Sequence, residues 1–153
     1  MKALLVAAGI GLAMLSPARA DDEAVTCKST STEDVASLFD RWNASLKTLK
    51  PEEVVKNYEE DAILLPTVSN KPRVTQDERR DYFEHFLEKK PVGKIDMRVI
   101  KIGCNNAIDA GIYTFTFGDG SKVQARYTFT YELKNGTWLI SSHHSSAMPE
   151  TAQ

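Results

Sequence analysis

Cysteine is scarce in this 153-residue chain: Cys27 and Cys104 are the two, and neither stands in a C-x-x-C motif. That argues against a reactive thiol or a thiolate metal site. Basic charge is not in excess either, with 19 Lys and Arg against 21 Asp and Glu. A nucleic-acid partner demands a basic surface, so that class is excluded, and no polybasic patch offers itself to anionic lipid. Long apolar runs are missing. The longest, Ala3 to Leu15, has 13 residues, whereas a spanning helix needs about 20. Histidine is limited to His85, His143 and His144, with no metal-binding spacing. No metal and no cofactor are therefore expected. Internal repeats and low-complexity tracts are lacking too.

What is present begins with an export signal. Met1-Lys2 is a basic start, Ala3 to Leu15 a short hydrophobic core, and Ala18-Arg19-Ala20 an A-x-A cleavage site. Residues 1–20 are expected to be cleaved. A mature chain of 133 residues suits one domain with one core, and its net charge is −4 with histidine neutral. Residues 21–29 read as a loosely held N-terminal segment, 30–149 as the domain and 150–153 as a tail. In an oxidising compartment, Cys27 and Cys104 are most simply a disulfide. It would close a 78-residue loop, worth roughly 4 kcal/mol in the chain-entropy model.

The period of the apolar residues changes once along the domain. Thr30 and Glu33 form a T-x-x-E capping box, followed by Val35, Leu38, Phe39, Trp42, Leu46 and Leu49 at helical spacing. Pro51 suits the first turn of a second helix with Val54, Val55 and Tyr58 on its apolar face. Ala62 to Leu65 is a short strand stopped by Pro66. Thr75 and Glu78 cap a third helix that buries Tyr82, Phe83, Phe86 and Leu87. Beyond Pro91 the period is two. Strands are expected over Ile95–Ile102, Ala107–Phe117, Lys122–Glu132 and Thr137–Ser145, with hairpin turns at Gly118–Ser121 and Asn135-Gly136. Helices gathered before an antiparallel meander define an α+β domain. A curled sheet folded over the long helix would leave an open cone whose mouth is a natural pocket.

The Tyr82-Phe83-Glu84 triplet, the final hairpin Asn135-Gly136-Thr137-Trp138-Leu139-Ile140 and the ending His144-Ser145-Ser146-Ala147-Met148-Pro149 carry a family likeness. Through them the chain resembles the SnoaL-like, nuclear-transport-factor-like superfamily. Within it, the chain is similar to exported bacterial relatives of the association (hub) domain of calcium/calmodulin-dependent protein kinase II. Tyr58-Glu59-Glu60-Asp61-Ala62 is typical of the wider fold. The resemblance covers roughly residues 30–149. It implies a cone-shaped curved antiparallel sheet packed on three N-terminal helices, the cystatin-like roll. It also implies a homo-oligomer, a dimer or a larger ring, built on the outer face of the sheet. A deep pocket for small carboxylates, lined by basic residues, belongs to the same implication, as does a periplasmic location. The family's final-strand histidine corresponds to Ser142-His143-His144, best at His144. Where the family has pocket arginines, this chain has Ser145, Tyr113 and a position near Phe129, with Arg126 three residues earlier as a substitute.

From the residues themselves, His143 and His144 are adjacent on a strand and must point to opposite faces. One faces the cone and the other the outside. Arg126 shares a strand face with Gln124, Thr128 and Thr130. That face is either solvated or a polar cone lining, where a guanidinium would grip a carboxylate. Tyr113, Tyr127 and Tyr82 are core aromatics or phenols at the cone mouth. Two functions follow as expectations. The first is an exported binding and assembly module, holding a small polar or anionic ligand between Arg126, His144, Tyr113 and Tyr82. The second is a cofactor-free isomerase, cyclase or hydro-lyase using His144. Where ketosteroid isomerases place their base, this chain reads Ile63-Leu64-Leu65-Pro66, without a carboxylate.

Overall fold

The structure is a computed structural model and describes residues 26–150. The expected signal, residues 1–20, lies outside the described residues, as do most of the N-terminal segment and of the tail. Helix α1 (Thr32–Leu46) opens the domain, followed by α2 (Pro51–Val55), strand β1 (Tyr58–Leu65) and helix α3 (Gln76–Leu87). Strands β2 (Val92–Ile102), β3 (Asn106–Thr116), β4 (Lys122–Lys134) and β5 (Thr137–Ala147) complete it.

Local chemistry sets the boundaries. The α1 capping box is Ser31 with Asp34, one residue later than the Thr30–Glu33 reading. In the Thr-Ser-Thr-Glu-Asp run both registers satisfy the motif, and Thr30 instead bonds the Lys28 carbonyl. The helix ends at Leu46. Leu49, expected on the apolar face, has φ 57° and is largely exposed. Thr75 and Glu78 cap α3 as expected. Asn135 and Gly136 both have positive φ, as a two-residue hairpin turn of this hand requires.

The sheet has five strands in the order β1-β5-β4-β3-β2. Strands β2 to β5 are the antiparallel meander, curled over α1. Strand β1 corrects the sequence reading at its start and adds a pairing that the reading did not give. It starts at Tyr58 rather than Ala62, and it runs parallel to β5, with Leu64 opposite His143. Asn57 ends α2 early because its side-chain amide donates to the Glu53 and Val54 carbonyls. That places Tyr58 in the sheet.

Two bulges fix what faces inward. One lies between Ile95 and Met97 on β2. The other lies on β5, where Thr130 pairs with Ser142 but Tyr131 pairs with Ile140. Ser141 is the extra residue there. Trp138 and Ile140 point inward before it, and His143 and Ser145 after it. Trp42 of α1 sits inside the curl, with ring centroids 5.4 Å from Phe129 and 6.2 Å from Phe115. A disulfide joins Cys27 to Cys104 and pins the N-terminal segment to the β2–β3 turn. Asn105 adds two bonds there, accepting from the Lys28 amide and donating to the Thr26 carbonyl.

Candidate functional site

Between α1, α3 and the inner face of the sheet lies a cavity of about 120 Å³. About half of its lining is aromatic, because the period-two positions of β3 and the residue after it put Tyr113, Phe115 and Phe117 there while α3 adds Tyr82, Phe83 and Phe86. Trp42 and His143 are also in its lining, Ser145 and Thr67 supply hydroxyls, and Lys89 stands exposed at the rim.

His143 is buried against Phe129, the two rings stacked with centroids 4.0 Å apart. Trp42 Nε1 donates to the Tyr58 hydroxyl at 3.0 Å, and that hydroxyl meets His143 Nδ1 at 2.9 Å. An indole can only donate, so the Tyr58 oxygen accepts from Trp42, and as Nδ1 is the one acceptor bonded to that hydroxyl among the described residues, the phenol hydrogen is assigned to it. The imidazole hydrogen is thereby assigned to Nε2. Burial, with a smaller contribution from His144, pushes the His143 pKa down to about 3. His143 is therefore a neutral imidazole whose Nε2 hydrogen has no partner among the described residues.

A second chain of hydroxyls runs beside it. Tyr113 donates to Ser145 Oγ at 2.6 Å, and Ser145 bonds Thr67 Oγ1. One hydroxyl hydrogen of the Ser145–Thr67 pair is left over after these bonds. Burial raises the pKa of Tyr58 and Tyr113 well above the usual phenol range and pushes Tyr82 up to about 12. All three phenols stay protonated at neutral pH.

Other charged groups are committed elsewhere, apart from buried Glu59, whose Oε1 has no partner among the described residues. Arg79, fully buried on α3, donates to the backbone carbonyls of Glu59, Glu60 and Ala62 on β1. Asp109 takes a two-point bond from Arg98, at 3.1 and 2.8 Å, and a third bond from Tyr127 at 2.8 Å. Arg41 donates to Asn57 and to the Trp138 carbonyl.

The four ligand residues expected from sequence divide evenly. Tyr113 and Tyr82 line the cavity. Arg126 and His144, expected in the cone lining, are exposed on the outer face of the sheet, where Arg126 bonds Ser146 and His144 stands opposite Thr128. Aromatic side chains occupy the inner face of β4, so its polar alternate face points outward. His143, Ser145, Thr67 and Tyr58 take the place of the two displaced residues in and beside the cavity. Strict alternation from Trp138 and Ile140 directs Ser142 and His144 inward, and the Ser141 bulge reverses this. No local signal marked that bulge.

A helix-backed curled sheet around an aromatic cavity defines the nuclear-transport-factor-like, cystatin-like class. The calcium/calmodulin dependent protein kinase II association domain model matches residues 31–149, and the chain belongs to that family. A crystal structure from Xanthomonas campestris, described as such an association domain, shares 48% identity and a TM-score of 0.75, covering 84% of this chain and 99% of that one. Two more distant structures show the same fold. An NTF2-like protein of Pseudomonas putida has 15% identity and a TM-score of 0.67, covering 76% and 85%. A cystatin-like protein of Nostoc punctiforme has 15% identity and a TM-score of 0.68, covering 80% and 96%. No curated protein matches the chain.

Proposed function

We propose that this protein is an exported assembly module that holds a small molecule in its cone. The observation that carries the reading is the His143 Nε2 hydrogen, buried, unpartnered and set in the wall of a cavity. A buried donor without an acceptor costs about 1–3 kcal/mol, and a ligand oxygen removes that penalty. The site is built for binding rather than proton abstraction. His143, a lining residue, carries its hydrogen on the unpartnered Nε2, Asp109 is held by Arg98 and Tyr127, and Glu59, the other buried carboxylate among the described residues, is outside the lining. An isomerase, cyclase or hydro-lyase based on His144 draws no support from a side chain exposed outside the cone.

Assembly would use the outer face of the sheet, where Met97, Val99 and Ile108 are about half exposed beside Arg126 and His144. Family membership supports self-association. The disulfide supports export to an oxidising compartment, with the bacterial periplasm as the proposed location.

Thermal unfolding tests the pocket. Ligands that bind only the folded state raise the Tm by mass action. A panel of small ketones, phenols and acids should contain compounds that raise the Tm of the natural protein but not of Ala125→Leu, which fills the cavity wall. A panel that shifts neither protein removes the binding function.

A further inference from the structure

The size, lining and charge of the cavity narrow its ligand further than the binding reading alone, on which this inference rests. An apolar protein cavity of about 150 Å³ takes up benzene. The cavity here, about 120 Å³, has room for one ring and not for a steroid or a peptide. Its lining is aromatic on several sides, through Trp42, Phe83, Phe86, Phe115 and Phe117. Edge and face contacts to these rings favour a flat aromatic guest over an alkyl chain.

Charge decides the rest. An anion drawn into such a site must be met by a fixed cation or forfeit several kcal/mol of hydration. The arginines that reach inward cannot supply one. Arg79 is held by three backbone carbonyls, Arg98 by Asp109, and Arg41 by Asn57 and Trp138. Lys89 is at the rim, exposed, with Nζ over the Phe117 ring at 5.8 Å. The polar groups of the lining include His143, whose Nε2 hydrogen is unpartnered, the Ser145–Thr67 hydroxyl pair and the Tyr82 phenol. These suit a carbonyl or hydroxyl oxygen.

We propose that the cavity takes one uncharged aromatic ring bearing a carbonyl or hydroxyl oxygen, with that oxygen accepting from His143 Nε2. This ligand class differs from the small carboxylates that the family resemblance implies. The change follows from the lining, whose one cation among the described residues, Lys89, stands exposed at the rim rather than fixed inside.

Four probes separate the contributions: acetophenone, ethylbenzene, benzoate and butyrate, each titrated calorimetrically into the purified protein at neutral pH. Acetophenone is expected to bind about tenfold more tightly than ethylbenzene, the worth of one good hydrogen bond. It should exceed benzoate by at least as much, and butyrate should not bind. In protein with labelled histidine, the His143 Nε2 resonance should move on addition of acetophenone. In His143→Phe, which keeps a ring but removes the donor, acetophenone and ethylbenzene should become equal. The four-probe comparison in the natural protein decides the matter even if that variant does not fold. Benzoate or butyrate binding as tightly as acetophenone would overturn the ligand class while leaving a working pocket, with Lys89 as the cation. Ethylbenzene equal to acetophenone in the natural protein would overturn the role of His143. No heat from any of the four would remove the pocket itself and this inference with it.

Discussion

His143 keeps its imidazole neutral because its charged form would have to give up water for a wall of aromatic rings. In the unfolded chain the same group returns to about 6.5. Below that pH the unfolded state takes up a proton that the folded state refuses. The contribution of His143 to stability is therefore complete above about pH 6.5, and it is lost as pH falls toward 3. The slope is about 1.4 kcal/mol per pH unit for one such group. Urea unfolding between about pH 7 and about pH 4 should show a steeper acid loss in the natural protein than in His143→Gln, which does not titrate. Parallel curves would mean that the folded domain admits the charged ring. The residue types of this site were readable from the chain, but the phase of the last strand was not. Two adjacent histidines announce that one faces inward, and the single extra residue Ser141 decides which.

The element most dependent on one side chain is β1. Its Tyr58-Glu59-Glu60-Asp61 half is acidic and poor in strand formers, and so it reads as the end of a helix. Three of its carbonyls are satisfied by the Arg79 guanidinium, whose planar fork reaches all of them from α3. Arg79→Ala would leave those carbonyls buried and unpaired, each at about 1–3 kcal/mol. A loss of at least about 3 kcal/mol by chemical denaturation is expected, and a loss below about 1 kcal/mol would mean that β1 stands on its pairing with β5 alone. Arg79 was invisible in the sequence because a charged residue on a helix is ordinarily solvated. The other elements were legible for local reasons. Capping boxes at Ser31 and Thr75, Pro51, the Asn135-Gly136 turn and strict alternation along β3 and β4 are each written within a few residues. The nearest misreading, Thr30 for Ser31, arose where two overlapping registers met the same capping rule.

The whole molecule puts its two faces to different uses. The inner face of the sheet closes over α1 and the cavity, while the outer face exposes Met97, Val99 and Ile108 around the polar band of Arg126, Thr128 and His144. Exposed apolar side chains gathered on one face mark an association surface, whereas single scattered ones are ordinary. Sedimentation should find a dimer or larger ring for the natural protein and smaller species for Val99→Lys with Ile108→Lys. A monomer in both would confine the protein to ligand binding. Sequence alone determined the element order, the change from helical to alternating periodicity, the pairing of Cys27 with Cys104 and the class of the fold. Each of these is a matter of nearest neighbours along the chain or of a count of two thiols. Only the tertiary structure decided that β1 joins β5 in parallel, that Arg79 belongs inside, that Arg126 and His144 face outward and that His143 is buried in the cavity lining. Those outcomes depend on a one-residue bulge and on contacts between segments far apart in sequence, and no local pattern carries either.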